Sequence, residues 1–363
     1  MLEEPRLKEK RRRLAERALR WVPPLKRETV TGIRSPTGRT VEGDMILWPM
    51  IPEQIVKMPA EFTVGRLIEA GKLAQRLGAK IVGLGAYAAW VGRRGVLLAE
   101  IMSIPVTTGT SYTIAVALEA LRRAAAAVGI ELSGSTVTVI GATGFIGEIC
   151  GRLLARETGR LILTARHEGK LRELTGSIRA LVPEREISFT TNVREAVVEA
   201  DVVFVCTNVL TPFVALRDVK PGSLVCDISL PHNIRKEEAE NRPDVLVIDG
   251  GVVRPPGQVD FHFHFGLGRG LVYACMAETM ILALEELYVS FSLGGDISLA
   301  NVVKVEELGK KHGFTVAEFI SFGNPVPQER LEQVRQARRT KQPRRSTCLC
   351  IPSPLSQVPF SRL

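Results

Sequence analysis

One stretch, residues 133–166, limits most strongly how this chain can fold. The apolar run Val137–Ile140 is followed by glycines at positions 141, 144 and 147 and then by apolar residues at helical spacing. A second apolar run, Leu161–Thr164, closes the stretch. A strand, a glycine turn, a helix and a second strand at these distances predict a βαβ unit of a buried parallel sheet.

The glycine turn has the residue pattern of a dinucleotide-binding loop. Gly141 permits the sharp turn, Gly144 lets backbone N–H groups approach a pyrophosphate, and Gly147 allows the helix to pack closely on the strand. The helix N-terminus adds its partial positive charge to the phosphate site. We therefore expect cofactor contacts along the whole turn: Gly141, Ala142, Thr143, Gly144, Phe145, Ile146 and Gly147.

The end of the second strand predicts which dinucleotide binds. An NAD site usually carries Asp or Glu there, to hold the ribose 2′-hydroxyl. This chain has Thr164, Ala165 and Arg166 instead, and its first acid after the strand is Glu168. Because an arginine can pair with a 2′-phosphate through charge-assisted hydrogen bonds, we predict NADP(H). A solvated surface arginine is the alternative interpretation of Arg166.

Helix and strand patterns alternate on both sides of this unit. Six strand candidates between residues 134 and 251 predict an α/β fold with a doubly wound parallel Rossmann sheet. The predicted organisation is a basic N-terminal segment (1–27), an α/β substrate domain (28–132), the NADP-binding Rossmann domain (133–258), a return segment whose helix packs on the substrate domain (259–327) and a disordered basic tail (328–363).

Two of the predicted strands lead into residues suited to a ligand site. The strand that begins at Asp201 ends in Thr207 and Asn208, and the strand 245–248 leads into Gly250. Open α/β sheets bind ligands outside the carboxyl ends of their strands. We therefore expect Thr207, Asn208 and Gly250 to contact the cofactor.

The net charge of +9 comes from the two ends of the chain. Residues 1–20 contribute +4 and residues 328–363 contribute +6, so the part between them carries −1. Charge confined to solvated ends does not predict nucleic-acid binding. No apolar run reaches the length of a membrane span, no signal peptide is recognisable, and the six cysteines lack zinc-ligand spacing. These features predict a cytoplasmic protein with reduced thiols.

Two further segments carry chemically active side chains. Five serine and threonine residues surround Gly109 within residues 107–113, just before a predicted helix. Such hydroxyls usually cap the helix, but they can also bind an anion or stabilise an oxyanion. The glycine-rich loop 266–270 leads into a second helix, with Cys275 in its first turns. A thiol near a helix N-terminus has a lowered pKa and is a better nucleophile, while plain packing is the alternative role of Cys275.

Residues 258–266 alternate phenylalanine with His262 and His264. This alternation predicts a strand with both histidines on one face. A third ligand is missing from the pattern, so we do not predict a metal site there.

The chain resembles the long-chain acyl-[acyl-carrier-protein] reductase family, whose members form aldehydes. The resemblance covers about residues 28–320 and is carried by residues 83–86, 107–113, 141–147, 161–166, 249–253 and 273–281. It implies that Cys275 takes up a fatty acyl group as a thioester, which NADPH reduces to a fatty aldehyde. The acyl donor would be an acyl carrier protein or coenzyme A thioester, and an oligomer is possible. Reduction builds charge on the thioester oxygen, for which Ser111, Tyr112 and Tyr273 are candidate donors.

A second resemblance, to shikimate and quinate dehydrogenases, supplies the alternative. Those enzymes carry a glutamine on the return helix, where this chain has Cys275, and a Lys/Asp pair in their first domain. Lys72 and Lys80 are candidates for that lysine. Direct alcohol–ketone oxidoreduction is therefore the second hypothesis. A non-catalytic NADP(H)-binding regulator is the third.

Overall fold

A computed structural model describes Leu14, Glu16, residues 18–295 and residues 297–341. Most of the basic N-terminal segment, and the tail beyond Lys341 with Cys348 and Cys350, lie outside these residues. None of the helices described is both long enough and apolar enough to cross a lipid bilayer.

The N-terminal part is an α/β unit with a small core of its own. It contains an antiparallel hairpin and two short strands that pair in parallel. Leu67, Leu98 and Val106 are buried together between the helices of this unit. Its elements are β1 (Leu25–Arg34), β2 (Thr40–Leu47), α1 (Pro52–Lys57), α2 (Ala60–Arg76), β3 (Val82–Gly83), α3 (Val91–Arg94), α4 (Val96–Ile101), β4 (Val106–Thr107) and α5 (Thr110–Ala127).

The middle of the chain alternates strands and helices as the sequence predicts. The strands are nearly continuous apolar runs, because helices cover both faces of the sheet that they form. The elements are β5 (Thr136–Ile140), α6 (Phe145–Leu154), β6 (Arg160–Thr164), α7 (Glu168–Leu181), β7 (Glu186–Thr190), α8 (Val193–Val198), β8 (Val202–Val205), β9 (Leu224–Asp227), α9 (Lys236–Glu240) and β10 (Leu246–Asp249).

These six strands form one parallel sheet with the order β10-β9-β8-β5-β6-β7. All four residues of β8 are buried, and Phe204 is among the largest side chains without exposed surface. The strand order reverses between β5 and β8, which is the switch point where such sheets bind ligands. The predicted doubly wound Rossmann fold is confirmed.

The rest of the chain returns to the N-terminal part. The strand β12 (Gly257–Asp260) pairs antiparallel with β1, and the helices α10 (Ala274–Leu284) and α11 (Leu299–Lys311) pack on α5. The elements are β11 (Val252–Arg254), β12 (Gly257–Asp260), β13 (Val272–Tyr273), α10 (Ala274–Leu284), α11 (Leu299–Lys311), β14 (Thr315–Val316), β15 (Ile320–Ser321), β16 (Asn324–Pro325) and α12 (Gln328–Lys341).

The helix α12 corrects the prediction of a disordered tail from residue 328. Leu331 and Val334 are buried at helical spacing. Arg335 donates from Nε to the Ala127 carbonyl at 2.6 Å. Arg338 pairs with the Asp201 carboxylate at 2.9 Å. The prediction failed because two apolar residues among many charges form a pattern too weak to recognise, whereas docking on the core stabilises the helix.

The predicted strand 258–266 is also corrected, since it ends at Asp260. His262 has a φ of +48°, which no strand residue adopts. Phe265 packs edge to face on Phe261 and on Phe263, with ring centroids 5.4 and 5.1 Å apart. His262 and His264 therefore do not share a strand face. The aromatic rings contact one another edge to face, which is an arrangement that aromatic pairs favour.

Candidate active site

The glycine turn after β5 fits a dinucleotide pyrophosphate. Gly141 has a φ of +88°, and a Cβ there would lie 2.6 Å from the Cys206 carbonyl oxygen. A Cβ at Gly147 would lie 2.9 Å from the Ala142 α-carbon. No side chain among the described residues caps the N-terminus of α6. Its free N–H groups can therefore donate to phosphate oxygens.

The end of β6 adjoins this turn. The Thr164 carbonyl accepts the N–H groups of Gly141 and Ala142 at 2.9 and 3.1 Å. The Thr164 hydroxyl is buried and has no hydrogen-bond partner in the described part of the chain. Arg166 follows with an exposed side chain. In a fold of this kind, the adenosine ribose of the cofactor lies near the end of this strand. A cation at this place can attract a 2′-phosphate.

The carboxyl end of β8 supplies the other predicted cofactor residues. The Thr207 hydroxyl donates to the Asn233 side chain, and the Thr207 N–H donates to the Ser229 hydroxyl at 3.1 Å. Asn208 is exposed at this edge. Gly250 packs inwards instead, since a Cβ there would lie 2.5 Å from the Cys226 sulfur. Packing against Cys226 below the site therefore explains why a glycine occupies this position.

Cys275 is the second residue of α10, where three separate segments meet. Its thiol is half-buried, and the Ala86 and Met276 backbone N–H groups act on it to lower its pKa. Gly109, with a φ of +71°, lies directly against its backbone. A Cβ at Gly109 would lie 2.5 Å from the Cys275 carbonyl carbon. The segments around residues 86, 109 and 275 thus form one structure around the thiol.

Burial raises the pKa of the Cys275 thiol, contrary to the expected lowering at a helix N-terminus. The Ala86 and Met276 N–H groups lower this pKa, but desolvation of the thiolate is the larger effect. Glu278 raises the pKa further through its negative charge. The resting thiol is therefore protonated, and its attack on an acyl group requires that the proton leaves.

Glu278 is a site residue that the sequence reasoning missed. Its carboxylate has no exposed surface and lies at the N-terminus of α5. It accepts hydrogen bonds from the Thr107 hydroxyl and from the Tyr112 N–H at 2.8 Å, while the Gly109 N–H donates to the Thr107 hydroxyl oxygen at 3.2 Å. Burial raises its pKa, and these donors lower it in part. A lone acid on an otherwise apolar helix, three residues after Cys275, is the signal that could have revealed it.

The predicted donors Ser111 and Tyr112 are engaged elsewhere. The Ser292 hydroxyl donates to the buried Ser111 hydroxyl at 2.7 Å. The Tyr112 ring packs against Gly309 and lies edge to face on Phe314, with ring centroids 6.3 Å apart. These contacts therefore favour a structural role for Ser111 and Tyr112 over the predicted role as donors.

Tyr273 immediately precedes α10, and its phenol is half-buried. Burial raises its pKa, and the charges of Asp249 and Cys275 raise it further. Of the three predicted donors, this phenol is the one whose electrostatic surroundings include Cys275.

A charged cluster lies beyond the carboxyl ends of β9 and β10. The His232 ring stands between two carboxylates, with Nδ1 3.6 Å from Asp227 and Nε2 3.5 Å from Asp249. Burial alone would lower the pKa of His232, but the two carboxylates outweigh it and raise that pKa. Burial also raises the pKa of Asp249. We call Asp227, His232 and Asp249 the edge cluster.

Comparisons with known proteins agree with the dinucleotide-binding domain. The family model described as shikimate / quinate 5-dehydrogenase matches residues 122–249, from the end of α5 to the end of β10. The chain therefore contains a shikimate dehydrogenase-like domain, which is roughly a third of its length.

Two curated relatives extend the similarity beyond this domain. The aminotransferase PigE of Serratia sp. is 30% identical over 312 residues, which are 82% of this chain and 35% of PigE. The chain thus spans about a third of the length of that relative. The long-chain acyl-[acyl-carrier-protein] reductase of Synechococcus elongatus is 27% identical over 299 residues, which are 78% of this chain and 84% of that reductase. Both similarities are distant.

Solved structures show only partial likeness. Quinate dehydrogenase from Corynebacterium glutamicum, in complex with NAD, has a TM-score of 0.32 and 13% identity and covers 53% of this chain and 61% of its own. Shikimate 5-dehydrogenase from Listeria monocytogenes, with shikimate and NAD, has a TM-score of 0.30 and 17% identity and covers 36% of this chain and 51% of its own. Likeness at this level carries no argument about activity.

Proposed function

We propose that this protein is an NADPH-dependent oxidoreductase that reduces a fatty acyl thioester to a fatty aldehyde through a thioester on Cys275. The observation that carries the proposal is the arrangement around this thiol. The half-buried thiol lies at the start of α10, where the segments around residues 86, 109 and 275 meet, and Gly109 and Glu278 hold the helix that bears it. The Ala86 and Met276 N–H groups lower the pKa of the thiol and so favour the thiolate, which is the nucleophilic form.

The first step would transfer the acyl group to the protein. The Cys275 sulfur attacks the carbonyl carbon of the incoming thioester, a new carbon–sulfur bond forms, and the bond to the donor sulfur breaks. The thiol proton of Cys275 leaves with the donor thiol. The Ala86 and Met276 N–H groups stabilise the charge on the attacking sulfur, which offsets part of the desolvation.

The second step would be the reduction. When bound, the reduced dinucleotide supplies a hydride to the thioester carbon. The carbonyl oxygen then takes up a proton, for which Tyr273 is the proposed donor. The resulting hemithioacetal collapses to the aldehyde, and its hydroxyl proton returns Cys275 to the thiol. In this proposal Ser111 and Tyr112 have a structural role and hold residues 107–113 in place.

The proposed cofactor is NADP(H), held by the glycine turn and by Arg166. The distant similarity to an acyl-[acyl-carrier-protein] reductase supports an acyl carrier protein or coenzyme A thioester as the donor. The free thiols of Cys150, Cys206, Cys226 and Cys275 support a reducing compartment such as the cytoplasm.

The test is acylation without reductant. The protein is incubated with a long-chain acyl-coenzyme A or acyl carrier protein thioester, and the intact mass is measured. We expect one added acyl group on the parent protein and on Cys150→Ala, whose thiol is fully buried, and none on Cys275→Ser. Adding NADPH should then release the aldehyde and restore the unmodified mass. If the parent acquires no acyl mass from either donor, the proposal is wrong.

Alcohol–ketone oxidoreduction is the second candidate, supported by the shikimate dehydrogenase-like domain. Its required lysine has no evident counterpart, because Lys72 is exposed on α2 and Lys80 lies over the Tyr288 ring. Reduction of NADP⁺ on shikimate or quinate, unaffected by Cys275→Ser, would favour it over acyl reduction. NADP(H) binding without any turnover would favour a regulator.

A further inference from the structure

Arg94, at the end of α3, places a positive charge beside the glycine turn. Its guanidinium carbon lies 4.5 Å from the centroid of the Phe145 ring, and Phe145 is the first residue of α6. We infer that Arg94 binds the pyrophosphate of the dinucleotide and so completes the cofactor site from the N-terminal part of the chain. The inference rests on the cofactor part of the proposed function and adds to it a phosphate-binding residue outside the Rossmann domain.

The charge of Arg94 is available to a ligand. Its side chain is exposed, and within the described residues it forms neither an ion pair nor a hydrogen bond. The neighbouring Arg93 differs, since the two carboxylate oxygens of Glu100 accept its Nη2 at 2.8 and 2.9 Å. Contact with an aromatic ring holds the guanidinium of Arg94 in place and uses no carboxylate or carbonyl acceptor. Its N–H donors therefore remain available to an anion.

The backbone around Arg94 has an unusual conformation. Residues 92–95 have successive φ values of +61°, +53°, +57° and +80°. Two of these residues, Arg93 and Arg94, are not glycines, and such residues rarely adopt the left-handed region. They persist there only where the surrounding structure holds them, which occurs most often at ligand sites. The conformation therefore agrees with a ligand role for this turn.

Contacts with two other segments fix the turn. The Gly294 N–H donates to the Arg94 carbonyl at 3.1 Å. The Nη1 atom of Arg94 lies beside Gly295, 3.9 Å from where a Cβ would stand. A Cβ at Gly95 would lie 3.3 Å from the Thr108 methyl group, in the segment that packs on the start of α10. Arg94 thus belongs to a continuous set of contacts that joins the glycine turn to the thiol.

The position of Arg94 identifies the phosphate chemistry of its ligand. A dinucleotide at a turn of this kind places its pyrophosphate at the N-terminus of the following helix, which here begins at Phe145. The first turn of this helix contains the acid Glu148 and no lysine or arginine. A positive side chain for the pyrophosphate therefore comes from another segment. A guanidinium beside the Phe145 ring supplies it, because arginine pairs strongly with phosphate oxygens.

A second polar group at the glycine turn independently indicates a ligand. The Thr164 hydroxyl has no exposed surface and no hydrogen-bond partner within the described residues. The carbonyl of the same residue accepts the Gly141 and Ala142 N–H groups, so Thr164 adjoins the turn directly. Buried hydroxyls are normally satisfied, and an unsatisfied one beside a phosphate-binding turn is typical of a site that holds a polar ligand.

The experiment measures dinucleotide binding without turnover. Fluorescence titration and competition give the Kd of NADPH, NADH and adenosine 2′-monophosphate for the parent, Arg94→Gln and Arg93→Gln. Arg93→Gln is the matched control, since Arg93 is also exposed and left-handed but its guanidinium is bound by Glu100. Acylation of Cys275 by a long-chain acyl-coenzyme A is measured separately without reductant, and melting temperatures show whether each variant folds.

Arg94→Gln is expected to raise the Kd of NADPH and of NADH by about 10-fold each, because both carry the pyrophosphate and a charge-assisted hydrogen bond is lost. The Kd of adenosine 2′-monophosphate, which has no pyrophosphate, should stay within about twofold of the parent value. All three constants should be unchanged in Arg93→Gln. Added salt should weaken NADPH binding more in the parent than in Arg94→Gln, because salt screens the charge that the variant lacks.

The possible failures are distinguishable. If the parent binds neither dinucleotide, the cofactor part of the proposed function is wrong. If the parent binds both and Arg94→Gln binds them equally well, the role of Arg94 alone is wrong. Weaker binding of NADPH alone would assign Arg94 to the 2′-phosphate, and slower acylation with unchanged dinucleotide constants would assign it to a phosphate of the acyl donor. Either result overturns the inference.

Should Arg94→Gln not fold, Arg94→Asn decides. Asparagine accepts the left-handed region more readily than glutamine does, and it also removes the charge. The same 10-fold rise in both dinucleotide constants, about the loss of one charge-assisted hydrogen bond, is expected in this variant. Constants equal to those of the parent would overturn the inference.

Discussion

Gly109 and Cys275 touch through their backbones, although 166 positions separate them. The α-carbon of Gly109 faces the carbonyl carbon of Cys275, with no space for a side chain between them. This contact joins the start of α5 to the start of α10. Glu278 secures the same junction one turn later by accepting the Tyr112 N–H and the Thr107 hydroxyl, whose oxygen in turn accepts the Gly109 N–H.

Gly109→Ala should therefore disturb both stability and acylation. The methyl group would be forced into the Cys275 backbone at a φ of +71°, and strain together with overpacking should cost about 2–5 kcal/mol. Gly129→Ala is the control, because its φ of +75° is similar but no atom lies within 4 Å. It should cost about 1–2 kcal/mol from strain alone. Chemical denaturation measures the free energy of unfolding of both variants. If Gly109→Ala and Gly129→Ala lose the same amount, the packing argument is wrong.

Glu278→Ala should weaken the same junction from the other side. It leaves the Thr107 hydroxyl and the Tyr112 N–H without their acceptor, and unsatisfied buried groups cost about 1–3 kcal/mol each. We expect a loss of stability of about 2 kcal/mol or more and slower acylation of Cys275. The exposed Glu307→Ala on α11 should change neither. A stable variant that acylates at the parent rate would show that Glu278 does not position the thiol.

Arg166→Gln should reduce affinity for NADPH and not for NADH. Loss of charge-assisted hydrogen bonds to a 2′-phosphate corresponds to roughly 10- to 100-fold in Kd. Arg172→Gln is the matched control, since that exposed arginine on α7 pairs with Glu168. Fluorescence titration with both dinucleotides measures the effect. Equal weakening for the two cofactors would contradict a role in choosing NADPH.

The pKa of Asp201 indicates how acid should weaken the docking of α12. Burial would raise its pKa, but hydrogen bonds from Lys220, the Thr136 N–H and Arg338 outweigh burial and lower the pKa below its ordinary 3.8. A depressed pKa contributes stability that is complete above 3.8 and is lost as pH falls through the lower folded value.

Asp201→Asn should therefore destabilise the protein by about 1–3 kcal/mol at pH 7, with a difference from the parent that shrinks below about pH 4. The exposed Asp260→Asn is the control and should be neutral at both pH values. Urea denaturation across pH 3–7 measures the difference. If the difference in free energy of unfolding between parent and variant stays constant with pH, the Asp201 charge does not secure α12.

The Rossmann domain could be predicted because its signals are local. The glycines at positions 141, 144 and 147 and the apolar runs beside them determine strand, turn and helix within a few residues. The order of the strands follows from the short connections and their handedness. The helix α12 was predicted wrongly because its packing partners lie far away in the chain. The turn at residues 261–265 was predicted wrongly because its aromatic rings contact one another instead of alternating along a strand.

The candidate site divides in the same way. The sequence alone determined the fold class and drew attention to Cys275 through its position after a glycine-rich loop. Only the tertiary structure decided that burial raises the pKa of this thiol, that Ser111 and Tyr112 are engaged elsewhere, and that His232 stands between two carboxylates. Local patterns specify backbone conformation, whereas pKa values and hydrogen-bond partners depend on groups that are far apart in the chain and meet only on folding.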